Sequence, residues 1–412
     1  MTKYCLIRVL LLTTALTVFL LMIPVRPKAQ YQVMTEEKDI YPADILTGAE
    51  RTTLYFPWIR DKRIAVVANH TATIGKQHLV DSLIKAGMKV QKVFCPEHGF
   101  RGNAEAGEVV GNQVDQKSGL PVVSLYGKKR KPSPEDLADV DVVIFDIQDV
   151  GARFYTYIST LNYVMEACAE QKKQVIVLDR PNPNGHYVDG PVLKKEFASF
   201  IGMNAVPIVH GMTIAEYACM LNGEGWLNKA VRCDLKYVTV QNYTHSSYYH
   251  LPLRPSPNLP NMASVWLYPS LCLFEGTLVS VGRGTGLPFQ QIGHPDLKDA
   301  HTTFTPVDIP GVATDPPYEG LLCQGYELGD FSEAYIKNSG QIYLFWLLET
   351  YAQLKDKGSF FNNVFDKLAG SDQLRLQITQ GMKEEDIRKS WQEDLKKFKE
   401  IRKKYLLYPD FE

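Results

Sequence analysis

Between Arg63 and Asp179, five short apolar runs alternate with stretches of helical character. The predicted strands cover residues 63–68, 90–95, 121–125, 140–147 and 174–178, and the predicted helices lie near residues 77–86, 134–139 and 158–171. Nearly continuous apolar strands separated by helices are typical of a parallel sheet that is covered on both faces. The pattern therefore predicts an α/β fold with a Rossmann-like parallel sheet.

The second half of the chain has a different pattern. Residues 252–317 are rich in Pro and Gly, with a strand-like segment at 277–281. Helices are predicted near residues 341–355 and 384–406, the last with an apolar stripe at steps of three or four. The stripe consists of Ile387, Trp391, Leu395, Phe398, Ile401 and Tyr405. We predict a Rossmann-like domain over residues 31–250 and a smaller α+β domain over residues 251–412.

The first 30 residues have the pattern of an export signal. Lys3 and Arg8 precede an apolar run of 15 residues, 9–23, which is short for a bilayer span. Cleavage after Ala29 predicts a periplasmic or secreted protein. An uncleaved membrane anchor is the alternative, and it is the only membrane contact that the sequence predicts.

Composition excludes several other classes. The chain has 412 residues with 45 Lys and Arg against 46 Asp and Glu, which disfavours a nucleic-acid-binding protein because such proteins need excess basic charge. Six cysteines follow Cys5 without a CxxC pair, so we expect buried thiols rather than disulfides or a zinc site. Neither a nucleophile elbow nor a phosphate loop is present. No cofactor or metal is predicted.

Polar and charged residues follow four of the predicted strands. Ligands of open parallel sheets bind beyond the carboxyl ends of the strands, so these residues are candidates for a binding site. They are Asn69 and His70 after the first strand, Glu97, His98 and Arg101 after the second, Gln148, Asp149, Arg153 and Tyr155 after the fourth, and Arg180 and Asn182 after the fifth.

Many of these residues also have a purely structural interpretation. Asp146 and Asp179 are as well placed to cap helices as to bind a ligand, and Arg180 can form a local ion pair. Glu97 differs because it follows a Cys-Pro that ends a buried strand and has Gly99 two positions later. A functional role is the better interpretation of Glu97.

Several longer motifs resemble the exo-β-N-acetylmuramidase family of the NamZ type. They are EHGFRG at 97–102, DIQDVGARFYTY at 146–157, LDRPNPNG at 178–185, HGMTIAE at 210–216, YPSLCLFEGT at 268–277 and SVGRGT at 280–285. The resemblance implies a glycoside hydrolase of peptidoglycan turnover that removes N-acetylmuramic acid from non-reducing glycan ends. It also implies a Rossmann-like domain and a smaller C-terminal domain that closes the active-site cleft, with Glu97 as the catalytic residue.

Glycoside cleavage needs a proton donor and a second group at the anomeric carbon. Glu97 is the expected acid, and the candidates for the second role are Asp149, then Glu275 and Glu105. Retaining, substrate-assisted and inverting mechanisms all stay open. The lactyl carboxylate of muramic acid calls for a cation, for which the candidates are Arg101, Arg153, Arg180 and Arg283. His70 and His98 are expected to contact sugar hydroxyls.

Two other functions are compatible with the same residues. A non-catalytic protein that binds muropeptides or glycans would use the cleft for capture alone. A metal-dependent amidase or deacetylase would use His70, His98 and Asp149 as ligands, although no recognised spacing supports such a site.

Overall fold

A seven-stranded, mostly parallel sheet forms the centre of the computed structural model, which describes residues 45–97, 99–101, 113–356 and 358–412. The predictions for residues 1–30, His98 and Glu105 lie outside these described residues. The strands of this sheet are β1 Arg63–Ala68, β4 Lys89–Cys95, β5 Gln113–Val114, β6 Pro121–Ser124, β7 Val142–Asp146, β8 Gln174–Leu178 and β9 Asp234–Val238. A separate hairpin contains β2 Thr73–Ile74 and β3 Gln77–His78.

The strand order is β5-β6-β4-β1-β7-β8-β9, and every pairing is parallel except that of β5 with β6. From β1 the chain moves outward to β6 and then returns to β7 on the other side of β1. This order is that of a Rossmann fold, in which the switch point lies between the first strand and its later neighbour. The predicted α/β fold class is confirmed.

Buried side chains cover both faces of the sheet. Val67, Phe94 and Phe145 pack on one face, while Val66 and Ile144 pack on the other. The α-helices of this half are α1 Thr52–Ile59, α2 Leu79–Lys85, α3 Pro134–Leu137, α4 Tyr157–Glu170 and α5 Ile214–Gly223. Burial on two faces explains why the strands are continuous apolar runs.

The second part of the chain is a smaller α+β region with an antiparallel sheet of order β10-β12-β11. Its strands are β10 Gln291–His294, β11 Thr302–Phe304 and β12 Cys323–Glu327. Its α-helices are α6 Met262–Leu271, α7 Gly329–Phe331, α8 Lys337–Ser339, α9 Phe345–Leu354, α10 Phe365–Ala369, α11 Gln373–Thr379, α12 Glu384–Ser390 and α13 Gln392–Lys403. The boundary between residues 250 and 251 stays a prediction.

Two elements of this part differ from prediction. The expected strand at 277–281 contributes only isolated bridges, at Thr277 and Ser280. The expected long helix is interrupted at Trp391, which separates α12 from α13. Its stripe still faces the core, with Ile387, Trp391, Leu395 and Phe398 buried.

Candidate active site

A cavity of about 470 Å³ opens where strand-end loops of the large sheet meet the second part of the chain. Its lining side chains come from both halves. They are Glu97, Tyr126, Arg130, Phe154, Tyr155, Thr156, Tyr157, Ser199, Phe200, Ile201, Ser256, Asn258, Leu259, Tyr268, Glu275, Arg283, Phe289, Val364 and Lys367. Of the predicted site residues, Glu97, Tyr155, Glu275 and Arg283 are therefore brought together.

Glu97 lies two residues beyond the end of β4. Its Oε2 atom accepts a hydrogen bond from Thr156 Oγ1 at 3.3 Å. Tyr126 lies close by, since burial and then the charge of Glu97 raise the pKa of Tyr126 above its usual range. Glu97 is thus a carboxylate with oriented hydroxyl neighbours on a cavity wall.

Aromatic rings form another wall of the cavity. The ring of Tyr155 lies edge-to-face with Tyr157 at 4.8 Å and with Tyr268 at 5.8 Å between centroids. The Tyr155 hydroxyl donates to Pro255 O, and the Tyr157 hydroxyl accepts a hydrogen bond from Asn69 Nδ2. These contacts fix the rings, which present flat apolar surface of the kind that sugar rings contact.

Glu275 and Arg283 form an ion pair on the C-terminal side of the cavity. The Nε and a terminal nitrogen of Arg283 both lie 2.6 Å from Glu275 Oε1. The helical turn that carries Glu275 packs at Gly276 against the backbone of Phe365, where a Cβ atom would lie 2.4 Å from Phe365 Cα. Glycine is therefore required beside Glu275, so the backbone that carries this carboxylate is packed closely against Phe365.

Asp149 does not line the cavity. It is buried, and its Oδ2 accepts a hydrogen bond from the Gly151 amide at 2.7 Å. His210 Nε2 lies 3.9 Å from the same oxygen. Burial raises the pKa of Asp149 to about 7 and lowers that of His210 to about 3. A proton on Asp149 is therefore shielded from bulk solvent.

Three of the predicted arginines are engaged elsewhere. Arg101 pairs with Asp115 and Asp81 outside the cavity lining, and Arg180 forms a buried bidentate pair with Asp146. Arg153 is fully buried and donates to three backbone carbonyls. Among the four arginines predicted to bind an anionic sugar, only Arg283 reaches the cavity.

The polar residues at the strand ends mostly bind the backbone behind the cavity. Asn69 accepts from Thr71, Gln148 donates to the carbonyls of Asp149 and Pro181, and Asn182 donates to Met212 O. His70 Nε2 contacts Arg254 O at 2.7 Å. These side chains fix the loops that form the site rather than line it.

Several lining residues were not among the predicted ones, notably Tyr126, Arg130, Thr156, Phe200 and Lys367. Tyr126 and Arg130 follow β6, the third predicted strand. The same reasoning applied to the other strand ends would have found them. Phe200 lies in a loop and Lys367 lies in α10, and the position of both at the cavity depends on tertiary packing.

The described residues contain neither a helix suited to spanning a membrane nor a cluster of metal-binding side chains. No helix within that part of the chain is long and apolar enough to span a membrane. Over the same residues, no group of three or more His, Cys, Asp or Glu side chains is arranged to hold a metal ion. All six cysteines after Cys5 are free thiols, and five of them are buried, Cys219 being the partly exposed one.

Comparison with known proteins gives a consistent assignment. The N-terminal model of the exo-β-N-acetylmuramidase NamZ matches residues 64–263, and the C-terminal model matches residues 266–408. The peptidoglycan β-N-acetylmuramidase NamZ of Bacillus subtilis (strain 168) is 39% identical over 373 residues, which cover 86% of this chain and 89% of that protein.

Two solved structures have the same fold. A DUF1343 family protein of Bacteroides fragilis NCTC 9343 is 46% identical with a TM-score of 0.83, covering 89% of this chain and 100% of the other. A second DUF1343 family protein of that organism is 31% identical with a TM-score of 0.74, covering 88% and 99%. Since both family models match and together span most of the chain, this protein belongs to the exo-β-N-acetylmuramidase NamZ family.

Proposed function

We propose that this protein is an exo-acting β-N-acetylmuramidase that releases N-acetylmuramic acid from the non-reducing ends of peptidoglycan glycan fragments. The observation that carries the proposal is the placement of Glu97 and Glu275 in one aromatic-walled cavity of a chain from this family. Most glycoside hydrolases use two carboxyl groups that flank the scissile bond, and this cavity provides two.

The two carboxylates have different surroundings, which indicates different roles. Glu97 accepts from the Thr156 hydroxyl and is our candidate for the group that protonates the leaving oxygen. Glu275 is held by the guanidinium of Arg283 and is our candidate for the group that stabilises positive charge at the anomeric carbon. Asp149 is a weaker candidate for that second role because it lies outside the cavity lining.

The aromatic wall supports a carbohydrate substrate. The rings of Tyr155 and Tyr268 meet edge-to-face beside the cavity. This contact, together with the hydrogen bond from the Tyr155 hydroxyl to Pro255 O, limits the movement of the rings. Rings that are already ordered lose little conformational entropy when a sugar binds, which favours affinity. A non-catalytic glycan-binding protein would use the same wall, so the chemistry must be tested by product formation.

We also propose that the enzyme acts outside the cytoplasm, in the periplasm or after secretion. The support is the basic Lys3 and Arg8 followed by the apolar run at 9–23. Detection of the mature N-terminus by mass spectrometry in cell fractions tests this point. A cytoplasmic protein that retains Met1 would contradict it.

The function is tested by incubating the purified protein with peptide-free glycan fragments of defined length. Mass spectrometry should detect free N-acetylmuramic acid and a fragment shortened by one residue from its non-reducing end. A parallel reaction with a chelator should give the same product if the enzyme needs no metal. Binding without any cleavage would instead support the capture function, and internal cleavage would contradict exo action.

A further inference from the structure

Arg130 lies on the cavity wall in the loop between β6 and α3. Its guanidinium carbon is 4.3 Å from the centre of the Phe200 ring. Phe200 in turn stacks on Tyr163 with ring centroids 6.3 Å apart and planes inclined by 13°. The guanidinium therefore rests on an aromatic surface that limits its orientation while its edge stays available for hydrogen bonds.

Within the described parts of the chain, Arg130 forms no ion pair with a carboxylate. Arg283, the other arginine of the cavity, directs two nitrogens at Glu275, so its guanidinium is already paired with a carboxylate. Lys367 also lines the cavity, but an ammonium is a point charge without the planar fork of a guanidinium. Of the cations at this cavity, Arg130 is the best suited to bind a carboxylate in bidentate fashion.

Tyr126 links Arg130 to the reacting end of the site. Both residues belong to the loop after β6, and both line the cavity. Burial raises the pKa of Tyr126, the charge of Glu97 adds to that rise, and the charge of Arg130 opposes it. Tyr126 is thus within electrostatic reach of both groups. A sugar bound in this cavity can therefore contact both Glu97 and Arg130.

From this arrangement we infer that Arg130 binds the carboxylate of the lactyl substituent and determines specificity for muramic acid over N-acetylglucosamine. The inference rests on the proposed function, which supplies the anionic sugar. Because the lactyl group is attached two ring carbons from the anomeric carbon, the side chains of Glu97 and Arg130 can contact the same sugar residue. A peptide-linked lactyl group, which lacks the free carboxylate, would lose this contact.

The test compares two chromogenic glycosides. One is 4-nitrophenyl β-N-acetylmuramide, and the other is the same glycoside with its lactyl carboxylate converted to a methylamide. Arg130→Ala should lower kcat/KM for the first by about 10- to 100-fold, as expected for a lost hydrogen bond to a charged group. It should change kcat/KM for the methylamide by less than about threefold. Arg130→Lys should recover part of the loss on the carboxylate substrate.

Lys128→Ala is the matched control, since Lys128 is an exposed cation of the same loop that does not line the cavity. Lys128→Ala should leave kcat/KM unchanged for both glycosides. Equal losses on both glycosides for Arg130→Ala would overturn the inference. If the wild type cleaves neither glycoside, the proposed function fails, and calorimetry with N-acetylmuramic acid and its methylamide then tests Arg130 alone. In that binding experiment, an Arg130→Ala variant that still binds N-acetylmuramic acid more tightly than the methylamide would overturn the inference.

Discussion

Thr156 Oγ1 donates a hydrogen bond to Glu97 Oε2 at 3.3 Å and thereby connects the loop after β4 to the start of α4. Thr156 immediately precedes the first turn of this 14-residue helix. The Thr156 hydroxyl makes no capping hydrogen bond to the helix backbone. Its contact with Glu97 is therefore separable from the stability of α4.

Replacing Thr156 with Val tests whether this contact orients Glu97. We expect kcat to fall by about 10-fold with KM nearly unchanged, because the hydrogen bond acts on the reacting group and not on the bound sugar. Steady-state kinetics with a chromogenic muramide measure both constants. Thr350→Val, which removes a buried hydroxyl from α9, is the control and should leave kcat unchanged. A change confined to KM would show that Thr156 contacts substrate instead.

The Glu275 and Arg283 pair should behave as one unit. Glu275→Gln and Arg283→Met each leave one charge without its partner, so the double variant should lose less activity than the two single losses combined. We expect a coupling energy of about 1 kcal/mol or more in a double-mutant cycle on kcat/KM. The exposed pair of Glu385 and Lys389 provides a control cycle, in which the coupling should be small because solvent screens both charges. Additive effects at Glu275 and Arg283 would argue against a functional pair.

Arg153 should matter for stability and not for sugar specificity. Its guanidinium donates to the carbonyls of Pro191, Val206 and Leu368, and Gly370 packs against it. Arg153→Met leaves these carbonyls without donors and should cost about 3 kcal/mol or more of unfolding free energy. Arg63→Met, at an exposed ion pair, should change the unfolding free energy much less than Arg153→Met does. Denaturant unfolding measures both, and a selective loss of muramide cleavage in Arg153→Met would contradict this assignment.

Asp149 predicts a specific dependence of stability on pH. Burial raises its folded-state pKa to about 7 from the ordinary aspartate value of 3.8, so the folded state holds its proton over a range where the unfolded state has released it. The contribution of Asp149 is therefore fully favourable below pH 3.8 and is lost progressively as the pH rises to about 7. The loss is at most about 1.4 kcal/mol per pH unit.

Asp149→Asn removes this titration while retaining an oxygen that can accept from the Gly151 amide. The difference in Tm between wild type and variant should shift in favour of the variant as the pH rises from about 4 to 7. His210, the adjacent imidazole, has a pKa lowered to about 3 by burial and stays neutral over most of this range. A pH-independent difference in Tm would contradict the buried, protonated state of Asp149.

The central strands were predictable because their chemistry is local. All five predicted strands of the parallel sheet form within two residues of the expected ends, since burial on two faces demands uninterrupted apolar runs. β9 was missed because only Val238 of its five residues is buried. The break at Trp391 was also missed, since the apolar stripe continues across it and periodicity cannot reveal the interruption.

A site residue was predictable where it follows a strand and its side chain is not engaged in an ion pair that stabilises the fold. Glu97 and Tyr155 satisfy both conditions and line the cavity. Arg180 follows a strand but fails the second condition, because its guanidinium is paired with the buried carboxylate of Asp146. Whether an arginine is free depends on partners distant in sequence, which spacing does not encode. Lys367 was inaccessible to sequence reasoning because α10 reaches the cavity only through tertiary packing.

The central claim is that Glu97 supplies the proton for cleavage at a non-reducing chain end. The most direct test is the rate of N-acetylmuramic acid release by Glu97→Gln, with Glu319→Gln as an exposed control on the same amount of folded protein. We predict a loss of about 1000-fold or more for Glu97→Gln with an unchanged Tm, and full activity for the control. Release within tenfold of the wild-type rate by Glu97→Gln would contradict the account.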